Sequence, residues 1–267
     1  MKRIDGCTAL ITGASAGLGR EFARQLGGRA ATLGLVARRN ARLEELRGEL
    51  IERHRALRVE IQPTDLSQRE PVDELSAWAG SQKAPIELLI NNAGLGDMGA
   101  CSTADPERVN QMLQVNMVAL TRLTRALLPA MIKQKRGAIL NVSSSASFLP
   151  IPNFAVYAAT KAYVTSFTEA LRGELHGTGI HLSALCPGPV RTEFTEVARR
   201  QPTGPAPREP DLAYVPVVEV VRAALHGIEQ NRPIVIPGMV MKIGMALVRL
   251  TPMPLLRLAS RLTGKPG

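Results

Sequence analysis

Residues 7–27 read CTALITGASAGLGREFARQLG. An apolar, strand-like run leads directly into the glycine-rich turn TGASAGLG at 12–19, and the helical segment REFARQLG follows it. Gly13 permits the tight turn between them. Gly17 removes a Cβ where a pyrophosphate would approach the backbone, and Gly19 lets the helix sit close to the strand. The helix start then offers N–H groups without helical partners, which favour phosphate. A glycine-rich turn alone is weak evidence, because any tight strand-to-helix turn favours glycine; its place between a strand and a helix gives it weight.

Working outward, short runs rich in apolar and β-branched residues alternate with longer segments of helical period, the pattern of repeated βα units around a parallel sheet. Strands are predicted near 7–12, 31–37, 57–62, 86–91, 137–143, 180–186 and 233–236. Near-continuous apolar runs such as IELLI at 86–90 suit strands buried on both faces. Between Asn40 and Arg55, Leu43, Leu46, Leu50 and Ile51 recur at helical spacing among charges, as in a covering helix. A long helix is expected over about 106–134 with Asn116 inside it, an awkward residue there because its amide competes with the backbone.

The length of 267 residues suits one α/β domain with a doubly wound, mainly parallel seven-stranded sheet and helices on both faces. Residues 1–237 are expected to form its body, with a lid over about 189–215, and 238–267 an apolar, basic helical extension. From Pro187 to Pro210 the chain is rich in Pro, Thr and Arg, which breaks regular structure, and so long an irregular stretch reads as a functional loop. The apolar stretches GMVMKIGMALVRL and PLLRLASRL, separated by Pro252 and Pro254, are each too short to span a bilayer.

The glycine spacing is TGxxxGxG, and further motifs follow in a fixed order. Asp65-Leu66 comes after the third strand, NNAG at 91–94 after the fourth, Asn116 in the fourth helix and a serine after the fifth strand. YxxxK at 157–161 and PGPVRT at 187–192 complete the series. In these motifs, over about residues 5–237, the chain resembles the short-chain dehydrogenase/reductase family. The resemblance implies a Rossmann-like fold and an oxidoreductase that passes hydride between a nicotinamide cofactor and a carbonyl or alcohol carbon. It implies cofactor contacts from Gly13, Ser15, Gly17, Leu18, Gly19, Asp65, Leu66, Asn92, Ala93, Gly94, Tyr157, Lys161, Pro187, Gly188, Val190 and Thr192. Within these, Asp65 would meet the adenine, NNAG the adenosine ribose, and Thr192 the nicotinamide carboxamide.

The end of the second strand distinguishes NAD from NADP, since a carboxylate there holds a ribose 2′-hydroxyl and arginine accepts a 2′-phosphate. This chain reads LVARRN at 35–40, so Arg38 and Arg39 favour NADP(H), and Ser15 could add a hydroxyl to the same phosphate. Two arginines after a strand also occur as an ordinary solvated turn.

Tyr157 and Lys161 lie four residues apart in a helical segment and so share a face. A phenol is a poor acid or base near neutrality unless a neighbouring cation stabilises its phenolate, and Lys161 is placed to supply one. Tyr157 could then protonate a carbonyl oxygen as hydride arrives, or work in reverse. The resemblance adds a serine 13 positions before the tyrosine. That register selects Ser144 from NVSSSAS at 141–147, with Ser143 and Ser145 as neighbours in register. It also gives Asn116 a role in holding a water that passes protons to the lysine. The predicted catalytic set is therefore Ser144, Tyr157, Lys161 and Asn116, without a metal.

The chain is also similar to the bacterial reductases of this family that act on acyl or lipid-like ketones, which implies a ketone or 3-oxoacyl group as the first substrate class, with steroid-like and polyol alcohols as alternatives. The rival class of function is an NADP(H)-binding regulatory or membrane-surface protein without catalysis. Retention of Ser144, Tyr157 and Lys161 argues against it. Lys and Arg exceed Asp and Glu by 33 to 23, and six of those cations, from Arg232 to Lys265, follow the last carboxylate, Glu229. Aromatic residues make up only 3%, too few for a nucleic-acid stacking surface, so no nucleic-acid partner is expected. Weak contact of the C-terminal segment with a membrane surface is compatible with its composition. Family members pair through helices matching 106–134 and 154–176, which implies a homo-oligomer. Cys7, Cys101 and Cys186 have no CxxC spacing, and the start of the chain lacks a signal-like apolar run, so a reducing, cytoplasmic setting is expected.

Overall fold

A computed structural model describes residues 4–82, 84–200 and 214–257. Seven strands form one sheet in the order β3-β2-β1-β4-β5-β6-β7, with every neighbouring pair parallel. They are β1 (Thr8–Thr12), β2 (Thr32–Ala37), β3 (Arg58–Pro63), β4 (Leu88–Asn91), β5 (Gly137–Val142), β6 (Ile180–Leu185) and β7 (Ile234–Val235). The helices of the first half are α1 (Gly17–Gly27), α2 (Asn40–Arg53), α3 (Arg69–Gly80), α4 (Pro106–Leu113) and α5 (Leu120–Gln134). α6 (Ala155–Glu174), α7 (Glu193–Ala198), α8 (Val217–Glu229) and α9 (Met239–Leu250) follow. This is the expected doubly wound α/β sheet.

Strand alternation divides the core in two. Ala9 and Ile11, Leu33 and Leu35, Leu88 and Ile90, and Ala138 and Leu140 face one layer with Phe22, Leu46, Val221 and Ile228. Leu10, Val36, Leu89 and Ile139 face the other, with Val72, Leu123, Leu127 and Leu171. Because both faces are covered, the central strands β1, β2, β4 and β5 are apolar at most successive positions, which explains the unbroken runs in the sequence, whereas the edge strand β3, RVEIQP, alternates. In α2, Leu43, Leu46 and Leu50 are buried, whereas Ile51 stands 39% exposed on the outer side.

The sheet order reverses at β1, where β2 lies on one side and β4 on the other, so their carboxyl ends bound a crevice suited to a ligand. Asp105 caps α4 by accepting from the N–H of Glu107, with Pro106 in the first turn. The long helix expected over 106–134 is not uniform. Between α4 and α5, Gln114–Ala119 adopt the wider π-helical turn, with Asn116 within it. The run Pro106–Gln134 is long and apolar enough to cross a bilayer, yet Met112, Val115, Leu123, Leu127 and Met131 are buried in this protein's own core.

The irregular stretch expected from Pro187 contains the short helix α7, because the Thr192 hydroxyl accepts from the N–H of Phe194 and caps it. The remainder of that stretch, 201–213, lies outside the described residues, as do 258–267.

Candidate active site

Thr12, the last residue of β1, organises the crevice. Its hydroxyl donates to the Ile90 carbonyl and accepts from the N–H groups of Asn92 and Ala93. The Asn92 amide returns a hydrogen bond to the Thr12 carbonyl at 2.9 Å. The ends of β1 and β4 are therefore locked in register. Gly13, at φ +68°, turns the chain where a Cβ would come within 2.8 Å of the Asn92 amide. A Cβ on Gly19 would stand 2.2 Å from the Gly13 carbonyl, so α1 approaches the turn at a distance only glycine allows. Gly17 and Leu18 open α1, and Leu18 packs on the core below. This cradle at a helix N-terminus fits a dinucleotide pyrophosphate.

At the end of β2, Arg38 is exposed, and Arg39 donates from its guanidinium to the Ser15 hydroxyl at 3.2 and 3.3 Å. Arg39 also reaches Glu193 at 3.0 Å, and Arg42, one turn into α2, reaches the same carboxylate at 2.6 Å. Hydrogen bonds from Arg42 and then Arg39 hold the Glu193 carboxyl below its usual range. The Ser15, Arg39 and Arg42 groups fit a 2′-phosphate chemically, and the two guanidinium groups already hold one carboxylate, that of Glu193. Arg42 and Glu193 were absent from the sequence-based set; the only available signal was a third arginine one helical turn beyond Arg39.

Tyr157 and Lys161 share the inward face of α6, and both are buried. The Tyr157 hydroxyl faces Ser144, which lowers its proton affinity and whose hydroxyl accepts from the Ala146 N–H at 3.1 Å; the Tyr157 ring stacks on Phe154 at 4.2 Å and tilts against Phe194 of α7 at 5.4 Å. Ser143 is occupied elsewhere, donating to the Lys161 carbonyl and sharing a hydrogen bond with Thr165. Lys161 Nζ donates to the Val142 carbonyl at 2.8 Å and lies 5.7 Å from the Tyr157 ring.

Burial raises the Tyr157 phenol to about 12, against a smaller lowering by Ser144, and lowers Lys161 to about 8. The lowering of the phenol expected from the lysine does not act here; burial governs the phenol, and only Ser144 opposes it. Desolvation acts on both groups, and the ammonium is turned toward a carbonyl. The result is a neutral phenol beside a cation, an arrangement suited to giving a proton.

Asn116 is tied to the loop after β4. Its oxygen accepts from the Leu95 N–H at 2.8 Å, and its amide donates to the Leu95 carbonyl and the Thr160 hydroxyl. A Cβ on Gly94 would lie 3.3 Å from Lys161 Nζ and 3.5 Å from the Asn116 oxygen, so these three positions meet. Asp65 accepts from the N–H and hydroxyl of Ser67, and Leu66 is buried in the core. The Pro187 carbonyl accepts from Ser145, Gly188 lies under the Met241 side chain, Val190 packs on the core, and Thr192 lies beside Gly17.

Cys186 is buried and its thiol is pushed up by that burial. Among the described residues, no group of three or more His, Cys, Asp or Glu side chains could hold a metal ion.

The short chain dehydrogenase family model matches residues 7–203. The chain is 35% identical over 199 residues to the NADP-dependent 3-hydroxy acid dehydrogenase YdfG of Escherichia coli (strain K12), covering 74% of this chain and 78% of that one. Among solved structures, a short-chain dehydrogenase from Sphingobium yanoikuyae in complex with NADPH has a TM-score of 0.82 at 29% identity, covering 98% of this chain and 97% of that one. A short chain dehydrogenase/reductase from Burkholderia phymatum in complex with NAD has a TM-score of 0.79 at 25% identity, covering 92% and 94%. The alignments span 62–79% of the lengths of the curated relatives.

Proposed function

The chain belongs to the short-chain dehydrogenase family, and from that premise we propose that it is an NADP(H)-dependent oxidoreductase reducing an apolar ketone or 3-oxoacyl group to the alcohol in the cytoplasm. The observation that carries this reading is the buried Tyr157 phenol, facing Ser144 and one turn before Lys161, at the crevice where the sheet order reverses. The nicotinamide, when bound, supplies the hydride. Tyr157 gives its proton to the carbonyl oxygen, and Ser144 donates a hydrogen bond to the same oxygen as its charge develops. Lys161 faces the phenolate that remains, and Asn116 fixes the loop that carries Gly94 beside that lysine.

NADP(H) is favoured by Ser15, Arg38, Arg39 and Arg42, and by the cofactors of two relatives. Phe154 and Phe194 flanking Tyr157, with Leu95 and Ile151 packed nearby, give apolar walls that suit an acyl or bulky ketone better than a polyol. Self-association through helix 106–134 and α6 belongs to the same reading. Val118 and Ile132 stay exposed on a helix whose other side is core.

The test is consumption of NADPH by purified protein over a panel of ketones and 3-oxoacyl thioesters, with NADH and Tyr157→Phe as controls. Turnover that prefers NADPH and falls by at least about 100-fold in the variant is expected. Failure to bind NADPH would overturn the reading.

A further inference from the structure

Helix α9 has two unlike faces. Inward, Met245 is buried, Met241 lies against Gly188, and the helix packs on residues 145–148 beside Ser144, with the Arg249 guanidinium 5.6 Å from the Phe148 ring. Outward, Met239, Ile243, Leu247 and Leu250 form one stripe at helical spacing, exposed by 69%, 56%, 62% and 81%. Val240 widens the stripe, and Met253 and Leu255 extend it past the helix end. Lys242 and Arg249 flank it, and Arg257 follows, all three exposed. No carboxylate occurs after Glu229.

We propose that α9 lies in the interfacial plane of an anionic lipid surface, and that this surface delivers the apolar carbonyl substrate to the site. The inference rests on the acyl-carbonyl reading above. The apolar stripe enters the acyl region while Lys242 and Arg257 remain at the level of lipid phosphates. The 12 residues of α9 reach about 18 Å, short of the ~30 Å hydrocarbon layer, so the helix rests on the bilayer rather than crossing it.

A second copy is a poorer occupant. A two-fold contact of α9 on α9 would bring these cations against their own images, with no carboxylate in the segment to offset them. Because the inner side of the same helix covers Gly188 and touches the segment after Ser144, a substrate leaving the lipid meets the site wall directly.

The test is flotation of the full chain with phosphatidylcholine vesicles, with and without phosphatidylglycerol. The variants are the doubles Ile243→Glu/Leu247→Glu and Lys242→Glu/Arg257→Glu. The wild type is expected to float with the anionic vesicles, and each double variant to lose on the order of 10-fold or more in partitioning. NADPH binding and turnover of a small water-soluble ketone should be unchanged in Ile243→Glu/Leu247→Glu, which shows that it is folded. Wild type that does not float, or floats equally well as the apolar-stripe variant, overturns the inference. So does a wild type that ignores vesicles while light scattering shows the stripe variant losing a subunit partner, for then the face joins copies. Vesicle binding without turnover of any ketone would instead defeat the reductase reading and leave the lipid contact standing.

Discussion

At the scale of single residues, anion competition and proton affinity make the sharpest statements. Glu193 pairs with both Arg39 and Arg42, the guanidinium groups that the proposed function assigns to a 2′-phosphate. An exposed carboxylate pair of this kind contributes little to stability, but it must be displaced before the arginines can turn to a phosphate. Glu193→Gln is therefore expected to tighten adenosine 2′,5′-bisphosphate binding about 2- to 5-fold by calorimetry, leaving adenosine 5′-monophosphate unchanged. Arg42→Ala should weaken the bisphosphate alone. Unchanged or weaker binding by Glu193→Gln would remove the competition.

Lys161 makes the second residue-scale prediction. Burial lowers it from 10.5 to about 8, so its ammonium is present below that value and lost as the pH rises through it. Tyr157, raised to about 12, keeps its proton across the same range. Reductase kcat should accordingly be level at neutral pH and decline above about 8. A flat profile up to pH 10 would show that the lysine charge does not matter to the proton transfer.

At the scale of elements, legibility followed the range of the interaction. The strands were readable because burial on both faces writes an apolar residue at nearly every position, and the Tyr157–Lys161 pair because one helical turn is a local rule. Asn116 could be recognised as out of place, but a π turn is a tertiary outcome. It forms where the side chain can satisfy both polar groups of Leu95, 21 residues away. The serine run left its register open on residue types alone, and only packing shows Ser143 turned to the α6 backbone. Arg42 with Glu193, 151 residues apart, leaves no pattern in one sequence. The lid was expected to be irregular from its composition, yet a single capping threonine suffices for the turn and a half of α7.

At the scale of the whole molecule, the site is closed by an ion pair that joins distant parts of the chain. Asp97, after β4, has a side chain only 2% exposed and receives two guanidinium hydrogen bonds from Arg200, at 2.8 and 2.7 Å, just beyond α7. Arg108 of α4 adds a second cation at 3.3 Å, and Arg200 also donates to the Ala100 carbonyl and the Thr103 hydroxyl. Main-chain bonds from Met98 to Ala198 and from Gly99 to Asn153 run beside this pair. The loop after β4, the segment carrying Phe194 and the approach to α6 are thereby held together around Tyr157.

Arg200 holds the Asp97 carboxyl below its usual range, so the contribution of the pair is present above the ordinary carboxylate pKa of about 3.9 and is lost as the pH falls toward the lowered value. The clasp should thus be insensitive to pH near neutrality and open only in acid. Asp97→Ala removes the carboxylate and leaves Arg200, 21% exposed, without its main partner. The expected cost is about 1–3 kcal/mol, smaller than for a fully buried pair because water reaches the guanidinium. In a chain of this size that lowers Tm by roughly 2–4 °C per kcal/mol. Because the residue touches neither Tyr157 nor the glycine turn, substrate KM should rise several-fold while NADPH affinity holds. An equal loss of both affinities would mean that Asp97 supports the fold as a whole rather than the closure of the substrate side.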